Sequence, residues 1–158
     1  MGLKIFNLVA VFVMSWAGMV HGQDHSKPID SASFIYGQIN FVAAFLGECA
    51  DDDKNNAAIY IKLFDQYSRE NKELADRITT IMRTEQIRSG QSVGALEKML
   101  FDARRVAGET AAQMRRGDPK LFLENCRAQP EVHKNKLAAY TPLHDLYPIQ
   151  MRTIDGWK

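Results

Sequence analysis

The chain is poor in the features that would declare a function outright. It has only two cysteines, Cys49 and Cys126, and they form no Cys-x-x-Cys pair, which excludes a dithiol redox motif. Without Cys-x-x-Cys-His, covalent haem attachment is excluded as well. His25, His133 and His144 share no metal-ligand spacing with one another or with either cysteine, so no metal or other cofactor is expected. Neither sign of charge is in excess, with 20 basic residues against 19 acidic ones. A nucleic-acid binder needs a basic surplus or stripe, and this chain has none. Strand-like alternation of polar and apolar residues is missing, as are repeats and low-complexity segments. An all-α protein is what remains.

No apolar run reaches the ~20 residues of a membrane span. The first 22 residues nevertheless have the three-part plan of a secretory signal peptide. Lys4 supplies the positive start, Ile5 to Val13 is apolar except for Asn7, and Val20-His21-Gly22 places small residues before a cut at Gln23. An uncleaved anchor is the alternative, and the short apolar run argues against it. Loss of Lys4 with the leader balances the remaining charge at zero formal net. Residues 23–30 then read as a polar linker and 31–158 as a single helical domain.

The organising stretch is Ser31 to Ala50. Ile35, Ile39, Val42, Leu46 and Cys49 recur at alternating spacings of four and three, a helical stripe, and Phe34, Phe41 and Phe45 run beside it. A helix that is apolar over most of its circumference must be covered on several sides. Asp30 or Ser31 is the expected cap. A second helix, capped by Asp53 or Asn55, carries Ala57, Tyr60, Ile61, Phe64 and Tyr67 on one face. Its stripe is interrupted at Asn71 and resumes at Leu74, Ile78, Ile81 and Met82, as one kinked helix or two. Ser92 is positioned to cap the next, with Leu96, Met99, Leu100, Ala103, Val106, Thr110 and Met114 facing inward. Gly108 inside it costs about 1 kcal/mol against Ala, which predicts a closely packed neighbour. Asp118-Pro119 starts a short helix holding Leu121, Phe122 and Cys126. Pro130 is expected to open a last one, through about Tyr140. Thr141 to Lys158 is too apolar for a loose tail and is expected to wrap the bundle in extended form, with a partner-docking arm as the alternative. The fold expected is a small bundle of about five helices closed by one Cys49–Cys126 disulfide. Closing so long a loop stabilises by roughly 4 kcal/mol on the chain-entropy relation.

Four motifs carry chemistry on paper. Gly90-Gln91-Ser92-Val93-Gly94 matches the nucleophile elbow of serine hydrolases, followed by Asp118 and by His133 or His144. That elbow needs a strand before the serine, and no strand is expected here. Asp51, Asp53 and Asn55 match the first ligands of a calcium loop, but Asn56 and Lys62 stand where Gly and Glu are required. Lys62, Asp65, Arg69 and Glu70 resemble the charged set of all-α chorismate mutases. Such a site also needs an Arg and a Lys on the first helix, and Ser31 to Ala50 has neither. An i, i+4 pair of Asp65 with Arg69 is the simpler expectation. Met82 to Gln86 is faintly similar to the Leu-Thr-x-x-Gln of small envelope-stress chaperones, in one degenerate copy.

The expectation is therefore an exported, periplasmic or secreted, binding protein without a catalytic site. It would act by contact with another protein, as an inhibitor, immunity protein or small chaperone does, with a homodimer as a further arrangement. The candidate contact residues are the acidic turn, Glu48, Asp51, Asp52 and Asp53, and the arginine face, Arg104, Arg105 and Arg115. Replacing the three aspartates by Ala is expected to weaken binding without lowering Tm. The alternative is a small-ligand carrier or small all-α enzyme with a pocket lined by Tyr60, Tyr67, Arg69 and Arg104.

Overall fold

The computed structural model describes residues 27–134 and 143–158, and every described segment of regular structure is helical. Residues 1–26, which include the expected leader, residues 135–140 of the expected last helix, Thr141 and Pro142 lie outside the described residues. The elements are α1 (Pro28–Asp52), a single 3-10 turn (Lys54–Asn56), α2 (Ala57–Glu70), α3 (Lys72–Arg88), α4 (Val93–Gly117), α5 (Pro119–Lys134), α6 (Leu143–Leu146) and α7 (Pro148–Asp155). Among the described residues no helix is long and apolar enough to cross a membrane.

The central helix begins three residues earlier than its stripe predicts, because Pro28 occupies the first turn, where a missing N–H is harmless. Lys27 precedes it without a side-chain cap, and Ser31, an expected cap, is buried inside the helix instead. α1 is the axis of the fold and passes through two cores. Its first half, Ala32, Phe34 and Ile35, packs with Ile78, Ile81 and Met82 of α3, Leu96 of α4 and the C-terminal residues Leu143, Tyr147, Met151 and Ile154. Its second half, Phe45 and Cys49, packs with Tyr60 of α2, Ala111 of α4, and Phe122 and Cys126 of α5. The Phe45 and Phe122 rings meet edge to face at 5.2 Å between centroids, a geometry aromatic quadrupoles favour. The Cys49–Cys126 disulfide lies in this second core.

Asn71 ends α2 and begins α3, so the interrupted stripe is two helices. The Gly90 stretch is a helix stop. Gly90 has φ of +73°, its N–H donates to the Ile87 carbonyl, and the Gln91 N–H donates to that of Gln86. This paired closure needs a left-handed residue, hence the glycine. Ser92 then caps α4 by accepting from the Ala95 N–H at 3.3 Å. A helix, rather than a strand, precedes the serine. Asp118 caps α5 in the same way, accepting from the Leu121 N–H at 3.0 Å.

Three expectations need correction. Pro130 does not open a helix; it lies inside α5. Its φ is helical by construction, and burial of Cys126 and Gln129 on the preceding turn holds the helix together where one backbone bond is lost. A Cβ on Gly108 would meet nothing within 4 Å, so no close neighbour accounts for that glycine. The C-terminal segment is mainly helical, not extended, because Pro148 starts α7 instead of breaking it. It is fastened to the bundle: Arg77 donates to the Ile154 and Asp155 carbonyls at 3.1 Å each, and the Trp157 indole N–H donates to Glu85 at 2.9 Å.

Candidate functional site

The acidic turn joins α1 to α2 and is not uniform. Asp53 is only 5% exposed. Its Oδ2 accepts from Asn56 Nδ2 at 3.0 Å, from the Tyr60 hydroxyl at 3.1 Å and from Arg127 Nε at 3.4 Å. Hydrogen bonding from Asn56, and next from Tyr60 and Arg127, holds its carboxyl below the usual carboxylate range against the opposing effect of burial. Burial, reinforced by Asp53, pushes Tyr60 up to about 12. Asp53 thus ties the turn to α2 and α5 one helical turn beyond the disulfide. Its alanine variant is expected to lose stability, a correction to the reading that treats all three aspartates as surface groups. Asp51 and Asp52 do face solvent. Lys54 donates to Asp51 at 2.9 Å, and this bond holds the Asp51 carboxyl low.

The arginines divide similarly. Arg115 Nη1 stands 3.0 Å from Glu48 Oε2, an ion pair between α4 and α1 that joins the two expected contact regions. Arg105 is committed along its own helix, donating to both Glu109 oxygens at 2.8 and 3.0 Å and lying 3.7 Å from Asp102. Arg104 is exposed and, among the described residues, donates only to the Leu100 carbonyl, at 3.3 Å. The expected face therefore contains one cross-helix tie, one intrahelical pair and one exposed guanidinium. Of the residues proposed to line a pocket, Tyr60 and Tyr67 are buried, while Arg69 and Arg104 are exposed on different helices. His144 lies 3.0 Å from Asp155 at the C-terminus. Among the described residues no group of three or more His, Cys, Asp or Glu is placed to hold a metal ion.

The feature missed from sequence is on α2. Its buried face is Tyr60, Leu63 and Tyr67. Ile61 and Phe64, expected on the same face as Tyr60 and Tyr67, are 55% and 39% exposed. With Ala57 and Ser68 they form a second stripe at i, i+4, i+7 and i+11, turned away from the core. Asp65 and Arg69 do not pair with each other. The signal was present in the sequence, as two overlapping apolar stripes on one helix; which of them meets α1 was not. Comparison with protein-family models, curated proteins and solved structures finds no match for this chain.

Proposed function

We propose that this chain is an exported helical binding protein that acts by occluding the surface of another protein, in the manner of an inhibitor, immunity protein or small chaperone. The observation that carries the reading is the outward stripe of α2, Ile61 and Phe64, on the helix that follows the solvent-facing Asp51 and Asp52. An apolar centre with a charged rim is the anatomy of a contact surface, where the apolar part contributes burial and the rim selects the partner. The disulfide supports an oxidising compartment, periplasmic or outside the cell, in keeping with the leader-like first 22 residues.

Native mass spectrometry of the protein purified from its own host tests this. The expected result is a chain beginning at Gln23, two hydrogens lighter than the dithiol form, in complex with a protein. A small bound molecule in place of a protein would refute the occlusion reading and direct attention to a ligand site between helices.

A further inference from the structure

The surface charges of α2 are used differently from those of α3 and α4. On those two helices Lys72 pairs with Asp76, Lys98 with Asp102 and Arg105 with Glu109, each four residues apart on its own helix. Lys62, Asp65 and Arg69 on α2 have spacings of three and four that allow the same, yet among the described residues none of them is paired. All three are exposed, and they flank the stripe Ala57, Ile61, Phe64 and Ser68 on its free side. The opposite side of the stripe adjoins the face that packs on the bundle.

We infer that this face docks a second copy of the same chain, α2 against α2 in antiparallel orientation, about a two-fold axis crossing the helix between Lys62 and Leu63. The stripe is self-complementary about that point. Ile61 of one copy falls opposite Phe64 of the other, and Ala57 falls opposite Ser68, so large apolar groups meet at the centre and small residues clear the ends. In an antiparallel pair of helices the same flank of each faces its counterpart. Lys62 of one copy then lies within about 3 Å, along the axis, of the level of Asp65 of the other, and the pairing occurs twice because the interface is isologous. Arg69 of each copy comes level with Asn56 of the other, at the end of the helix where Asp51 and Asp52 face solvent. Lys62 and Asp65, which do not pair within one copy, find opposite partners across this axis. A 14-residue helix pair buries less than the roughly 1,600 Å² of a standard interface, so a reversible dimer of micromolar affinity is expected.

The inference rests on the contact reading above, and the test separates the two. Sedimentation velocity of the purified full-length mature protein from about 1 to about 500 µM should show a monomer–dimer equilibrium. Ile61→Lys, more exposed than Phe64 and therefore harmless to folding, should weaken dimerisation by at least roughly tenfold, and Phe64→Lys should do the same. Lys62→Glu and Asp65→Lys should each weaken it, and the double variant K62E/D65K should restore it, since the reversed pair reforms across the axis. An intrahelical or incidental role for these charges would show no such rescue. A monomer throughout the range, or a dimer indifferent to Ile61→Lys and Phe64→Lys, overturns the inference. A monomer that nonetheless carries another protein from its host overturns it while leaving the contact reading intact.

Discussion

Removal of the disulfide is the perturbation whose size follows most directly from the chain. Cys49 and Cys126 are 77 positions apart, and the bond joins α1 to α5 in the second core. Closing a loop of that length withdraws roughly 4 kcal/mol of freedom from the unfolded chain. A domain of about 130 residues unfolds with an entropy of about 0.27 kcal/mol/K, so the loss should lower Tm by about 15 °C. Both sulfurs are fully buried, so their replacement also removes packing atoms, and the effect should not be smaller than this. The assay is thermal unfolding by far-UV circular dichroism, comparing the parent with Cys49→Ala/Cys126→Ala. Each single alanine variant should also melt well below the parent, and no lower than the double, because loop closure is lost in both and the single keeps one buried sulfur in the core. A double variant melting within about 3 °C of the parent would refute the claim that the bond acts as a staple on the unfolded state.

Further outcomes follow from individual side chains. Asp53→Asn should lower Tm while Asp52→Asn leaves it unchanged, as measured by thermal melts at neutral pH. The depressed Asp53 carboxyl contributes stability that is present above the ordinary carboxylate range and lost as pH falls through its lower folded value, so acid denaturation should be shallower in Asp53→Asn than in the parent. Tyr147 donates to Gln38 at 3.0 Å, and burial pushes it up to about 12. The unfolded tyrosine ionises near pH 10, so stability should fall from about pH 10 to about pH 12, and urea titrations should show a smaller fall in Tyr147→Phe. At neutral pH that variant leaves the buried Gln38 acceptor unsatisfied and should cost about 1–3 kcal/mol. Met82→Ala empties a fully buried position between α1 and α3 and should cost about 2–5 kcal/mol in the same titrations.

Much of this protein is determined by the sequence alone. Helical periodicity, the absence of strand-like alternation and two distant cysteines suffice for an all-α bundle with one disulfide, because these depend on local spacing and on simple pairing. The caps at Ser92 and Asp118 are equally local, each set by an oxygen within three residues of a free N–H. Prolines were harder to read. Pro28 and Pro148 start helices and Pro130 sits within one, and a proline's role depends on which neighbouring turns are held by burial. Only the tertiary structure decides the orientation of α2. Tyr60, Leu63 and Tyr67 point inward, leaving Ile61 and Phe64 to solvent, because burying these three large side chains outweighs burying the other stripe, and the Tyr60 bond to Asp53 is satisfied in that rotation. In the same packing one of three consecutive aspartates turns inward and the other two stay on the surface. A run of identical residues differs in sequence only by position, and it is the rotation of the backbone against its neighbours that gives one of them a buried structural role.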